Sequence, residues 1–207
     1  GGELSGVVLG AGLGIVRLED VAIARDARAL ASGRDLVQPD SMLRHPSDRA
    51  AELVARRFGL GGVNVTVTSA CASAAQAVGT ACHLIRRGEA ELVVAGGADS
   101  MIHPVGLAYF VLLGAASTAP GPPERACRPF DRRRSGLVMG EGAGVLVVEA
   151  EDHARRRGAT VLAELSGYGA SFDGHELTAP EPTGDGAARA MRAALDDAGL
   201  GPDEVGY

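Results

Sequence analysis

Residues 63–85 read VNVTVTSACASAAQAVGTACHLI, and two different periodicities meet inside them. Val63, Val65 and Val67 alternate with Asn64, Thr66 and Thr68. That period of two, rich in β-branched residues, predicts a strand. From residue 71 to 85 nearly every position is Ala or another small or aliphatic type, with no Pro and only Gly79 as an interruption. This predicts a helix apolar on most sides and therefore buried. Cys71 stands where the strand turns into the helix. There its sulfur lies beside the unpaired N–H groups of the first turn, and the positive end of the helix dipole favours thiolate. Most cysteines are inert packing, so position rather than residue type singles this one out. Cys82, mid-helix, reads as packing, and Cys127 lies in a Pro- and Arg-rich loop without an evident partner.

Outward from this stretch, glycines divide the chain into short elements. GVVLGAGLG (residues 6–14) reads as a buried strand running into a turn. Gly10, Gly12 and Gly14 do not make the dinucleotide-binding G-x-G-x-x-G, since Ile15 takes the last required position, so close packing is the better reading. Residues 18–30 form a plausible helix. Ser47 is placed to cap a second one over 48–57, with Ala50, Leu53, Val54 and Phe58 on one face, stopped by Gly59. Arg86 and Arg87 complement the dipole of the central helix and Gly88 is placed to end it. Residues 91–95 predict a strand covered on both faces. Residues 99–134 read as irregular, which is uncommon in compact domains unless functional, with an apolar cluster at 109–113 expected in the core. Gly140, Gly142 and Gly144 lead into a strand at 145–149, and their turn reads as structural. A short basic helix at 152–157, a strand at 161–165 and an amphipathic helix at 185–198 follow, and a further strand begins at Val205.

Composition bounds the function. The 207 residues, 46% hydrophobic, can bury a substantial core as one large domain or two small ones. No run of eighteen apolar residues suggests a membrane span, and the opening GGELSG does not read as a signal peptide. Three unpaired cysteines suggest a reducing, cytoplasmic setting. A net charge of −6 argues against nucleic-acid binding. All twenty basic residues are Arg, so a Walker A loop, a Schiff-base lysine and a lysine base are excluded. His45, His83, His103 and His153 read as surface or packing residues, and His83 beside Cys82 has no metal-ligand spacing.

TSACASAAQAVG (residues 68–79) resembles the nucleophile elbow of the β-ketoacyl synthases, the condensing enzymes of fatty-acid and polyketide synthesis, in their elongating class. RPFDRRRSGLVMGEGAGVLVVE (128–149), SFDGHELTAP (171–180) and VVAGGADSM (93–101) resemble further segments of that family, in its order. The alanine-rich SACASA form is closer to a discrete synthase than to a domain of a modular one. The resemblance implies an α/β, thiolase-like layered α-β-α-β-α fold, incomplete here. Residues 1–157 would be the N-terminal half without its first strand and helix, and 158–207 the beginning of the C-terminal half. In that family the two catalytic histidines, a lysine and a glycine-rich oxyanion loop lie beyond the point matched by Tyr207, so the resemblance implies an internal portion of a synthase, with a naturally shortened relative as the alternative.

By resemblance, Cys71 is the nucleophile and takes the acyl group of an acyl carrier protein. Phe110 aligns with a pocket-wall aromatic, and His175 and Thr178 belong to a substrate-facing loop. No cofactor or metal is implied. The expected partners are a carrier protein bearing an acyl or malonyl thioester, docked on basic patches such as 132–134 and 155–157, and a second synthase subunit. The strand at 63–68 would pair with its copy in a homodimer, or with its counterpart in a ketosynthase-type heterodimer. No nucleic acid and no membrane are expected. Two positions depart from the family pattern: Glu176 stands where a second loop histidine belongs, and Ser135 where Asp is usual. The alternatives are a non-condensing relative, acting as partner subunit or acyl-holding protein, and a cysteine hydrolase with a Cys71–His175 pair oriented by Asp173.

Overall fold

A computed structural model describes residues 2–12, 47–176 and 179–207. The helix expected over 18–30, His45 and Thr178 lie outside them.

Strand β1 (Ser5–Gly10) is central, with parallel neighbours β2 (Asn64–Val67) and β3 (Leu92–Ser100) on its two sides. Strand β4 (Glu141–Glu149) closes the sheet antiparallel to β3, giving the order β2-β1-β3-β4. Alternation along β1 feeds two cores. Val7 and Leu9 meet Ala51 and Ala55 of helix α1 (Arg49–Phe58) on one face. On the other, Val8 joins Val93 and Ala95 of β3 against Ala77, Ala81 and Leu84 of helix α2 (Ser73–Arg86). A strand buried on both faces must be apolar throughout, as GVVLG is.

Several expectations need correction. Helix α1 buries Ala51 and Ala55, with Val54 half-buried beside them, whereas Ala50, Leu53 and Phe58 face outward. Two alanines let its axis approach the sheet closely, which larger residues would prevent. Its cap position is Asp48, not Ser47, and makes no side-chain hydrogen bond. Helix α2 buries Ala77, Ala81 and Leu84 against the sheet and Gly79 and Cys82 on its other side, while Ala74, Ala75 and His83 are exposed. The stretch read as irregular contains helix α3 (Pro104–Leu112), started by Pro104 in its first turn and by His103, whose Nδ1 accepts the Gly106 N–H at 3.2 Å. Its apolar residues Tyr109, Val111 and Leu112, with Leu113 beyond it, are exposed rather than in the core.

Helix α4 (Glu151–Arg156) and helix α5 (Asp185–Ala198) form where expected. Residues 161–165 do not form a strand: residues 161–170 run without a sheet partner among the described residues, and an isolated segment has no ladder to complete. This segment instead packs between helices. A Cβ on Gly167 would meet the Ala194 carbonyl, and one on Gly79 would meet Tyr168. No strand forms at Val205, which follows a 3₁₀ turn at Pro202–Glu204. Among the described residues no helix is long and apolar enough to cross a membrane.

Candidate active site

The parallel strands all end at one edge of the sheet, where open α/β sheets bind ligands. β1 ends there in Gly10 and β3 carries Gly97 alongside it. Both glycines are required by the approach of helix α2. A Cβ on Gly10 would lie 2.4 Å from the backbone carbon of Ser73, and one on Gly97 would lie 2.7 Å from the Ala74 methyl. The start of α2 is thereby drawn down onto the strand ends.

Between β2 and α2 the chain makes a 3₁₀ turn, Ala70–Ala72, with Cys71 at its centre. Ala70 has φ +46°, a left-handed conformation that costs a non-glycine residue about 1–3 kcal/mol. The buried hydroxyl of Ser73, 4% exposed, holds the turn. It accepts the Ser69 N–H and donates to the Ala70 carbonyl, each at 2.7 Å. Cys71 itself is exposed. It opens into a cleft of about 430 Å³ lined by Gly10, Gly12, Ala70, Gly97, Asp99 and Gly142 among others. Small residues at the rim leave the sulfur accessible, and Asp99 is the one charged side chain lining the cleft among the described residues.

Cys82 is buried in mid-helix, its sulfur 4.0 Å from the Leu165 carbonyl, and Cys127 is exposed in its loop. Phe110 is half-buried on α3, its ring edge-on to Tyr109 with centroids 5.7 Å apart. His175 is exposed, with Nε2 4.0 Å from Glu176. Neither Phe110 nor His175 lines the cleft of Cys71. Asp173 is spoken for as well: its carboxylate accepts the Glu181 N–H at 3.0 Å, and this bond with others from the backbone holds its pKa below the usual range. The structure therefore assembles no Cys71–His175–Asp173 set. Ser135, the departure from the family's Asp, shares a hydrogen bond with the Ser117 hydroxyl at 2.6 Å. Of the two arginine patches, 155–157 is paired internally, to Glu151, Glu91 and Glu149, while 132–134 remains exposed.

Sequence reasoning missed Ser73 and the strain at Ala70. A serine among alanines reads as an ordinary helical residue. Its meaning depends on a backbone angle that only the packed strand ends impose.

The family model for the N-terminal domain of β-ketoacyl synthase matches residues 2–154, and that for the C-terminal domain matches residues 162–207. The chain belongs to the β-ketoacyl synthase family. A 3-oxoacyl-[acyl-carrier-protein] synthase 2 from Staphylococcus aureus is 38% identical over 202 residues, 98% of this chain and 49% of that protein. Among solved structures, a β-ketoacyl synthase from Burkholderia phymatum STM815 superposes with a TM-score of 0.82 at 36% identity, over 99% of this chain and 49% of that one. A complex of a type II polyketide acyl-carrier protein with its ketosynthase, bound to the hexaketide, contains a chain that matches with a TM-score of 0.84 at 28% identity, over 100% of this chain and 52% of that one. The α/β, thiolase-like fold is thus that of a β-ketoacyl synthase, and the chain spans about half the length of the curated relatives it matches.

Proposed function

We propose that the protein is a β-ketoacyl-[acyl-carrier-protein] synthase in which Cys71 carries the growing acyl chain. The observation behind this reading is the placement of Cys71: exposed at a strained turn between strand and helix, opening into the cleft at the strand ends. The Cys71 thiolate attacks the carbonyl of an acyl-carrier thioester and forms a new carbon–sulfur bond. The tetrahedral oxyanion rests against the Cys71 N–H, then collapses, and the carrier leaves as its thiolate and takes up a proton. A malonyl carrier protein then loses carbon dioxide. The electron pair left behind, held as an enolate, attacks the Cys71 thioester, forms a carbon–carbon bond and releases the Cys71 thiolate.

In this reading residues 1–157 belong to the N-terminal half of the synthase and 158–207 open its C-terminal half. Phe110, His175 and Thr178 are read as substrate-binding residues, Phe110 and His175 acting outside the cleft of Cys71. The exposed arginines at 132–134 suit an acidic carrier protein. β2 is an edge strand whose outer side has no strand partner among the described residues, which suits pairing with a second subunit across a two-fold axis. Three free cysteines fit a cytoplasmic setting.

The test is turnover by the full-length protein supplied with acyl- and malonyl-carrier thioesters. Carbon dioxide release and a β-ketoacyl carrier product are expected, both lost in Cys71→Ala. Turnover that survives in Cys71→Ala, or none in the wild type, would sink the reading.

A further inference from the structure

We propose that Ser73 is a positioning residue that aims the Cys71 N–H at the oxyanion. This rests on the acyl transfer at Cys71 proposed above and goes beyond it. The Ala70 carbonyl accepts two hydrogen bonds from Ser73, one from its backbone N–H and one from its hydroxyl at 2.7 Å. The same hydroxyl accepts the Ser69 N–H, so a single buried oxygen ties both residues that precede Cys71.

The peptide unit joining Ala70 to Cys71 is planar and trans, so its C=O and N–H point in opposite directions. Fixing the Ala70 carbonyl towards Ser73 therefore fixes the Cys71 N–H away from Ser73. That N–H has no acceptor among the described residues, and both Ala70 and Cys71 line the cleft. Ala70 at φ +46° would relax to a commoner conformation if it were released, and the peptide would rotate with it. A donor aimed in advance at developing charge is worth far more than one that must reorient during the reaction. Ser73 makes its contribution without touching the acyl group.

Two reactions of the same sulfur separate this role from a merely structural one. Attack on a thioester creates an oxyanion and needs the aimed N–H, whereas alkylation by iodoacetamide creates none. In the full-length protein, Ser73→Ala is expected to slow acylation of Cys71 by an acyl-carrier thioester by about tenfold to a hundredfold. Its alkylation rate should stay within about twofold, and Ser73→Thr, which keeps the hydroxyl, should recover most of the acylation loss. If Ser73→Ala does not fold, the Ala70→Gly/Ser73→Ala protein, relieved of the left-handed strain, should show the same split between the two reactions. Equal losses in both reactions, or no loss of acylation, would overturn the proposal. A wild-type protein that alkylates but never acylates would instead remove the acyl-transfer reading on which it stands.

Discussion

The ring of Tyr168 lies over Gly79: a methyl group at residue 79 would sit 2.4–2.5 Å from Cγ, Cδ1 and Cδ2 of that ring. Helix α2 is therefore held from both sides, by the sheet on one and by the segment around Tyr168 on the other. His83 meets the same ring edge-on, with centroids 5.9 Å apart. In an unhindered helix, replacing Gly by Ala stabilises by about 1 kcal/mol. Here the sign reverses, because the contacted atoms lie near the root of the tyrosine side chain and the backbone must move with them. Gly79→Ala is expected to destabilise by about 1–3 kcal/mol in urea unfolding. Gly79→Ala in a Tyr168→Ala background should be neutral or stabilising, and a stabilising single substitution would show that the ring does not cover the helix.

Gly10 couples stability to the site. An added Cβ there meets the Ser73 carbonyl carbon and oxygen and the Ala74 nitrogen, all within 2.6 Å and all backbone. Gly10→Ala should lift the start of α2 from the strand ends, lowering the unfolding midpoint and slowing acylation of Cys71 together. Unfolding that shifts while acylation stays at the wild-type rate would mean that the turn is set independently of β1.

A pH dependence follows from Glu149. Arg157 grips its carboxylate with two hydrogen bonds of 2.7 Å, and His153 adds a third. The Arg157 guanidinium first, then His153, lower its pKa from 4.5 to about 2 against the opposing effect of burial, the side chain being 8% exposed. A depressed folded-state pKa contributes stability above 4.5 that is lost as pH falls towards about 2. Glu149→Gln is expected to cost about 1–3 kcal/mol at neutral pH. The gap from wild type should close through that acid window in pH-resolved unfolding. A gap that stays constant from neutral pH to acid would refute the assignment.

Arg86 joins the two parts of the chain. It binds Asp197 at 2.7 Å and the Ser166 carbonyl at 2.6 Å, and Asp197 also accepts the Tyr168 N–H at 2.9 Å. Both partners are well exposed, so global stability should move little in Arg86→Ala. Amide hydrogen exchange should instead quicken locally in residues 166–170 and in α5. Unchanged exchange there would show that packing of Gly167 and Gly169 alone holds the segment.

The strand and helix on either side of Cys71, and helix α5, were legible because each has a clean period and glycine punctuation. Helix α3 was not, since PVGLAYFVL is apolar on every side and offers no amphipathic stripe, although His103 and Pro104 were start signals in plain view. Strand character at 161–165 rests on Val161 and the aliphatic residues after it, but a strand needs a neighbour, which local sequence does not carry. In the site, Cys71 was legible from the change of period and from the family motif. Ser73 was not, because its two hydrogen bonds exist only once Gly10 and Gly97 have brought the helix onto the sheet. The outward face of α1 was misassigned for a related reason: alanines that permit close approach can outweigh larger apolar residues in deciding which side is buried.

The role of Cys71 as acyl acceptor is tested most directly by intact-mass spectrometry of the full-length protein after incubation with an acyl-carrier thioester, with Cys71→Ala in parallel. One acyl adduct is expected on the wild type and none on Cys71→Ala, with Cys82 and Cys127 unmodified. An unmodified wild type, or an adduct that persists in Cys71→Ala, would contradict it.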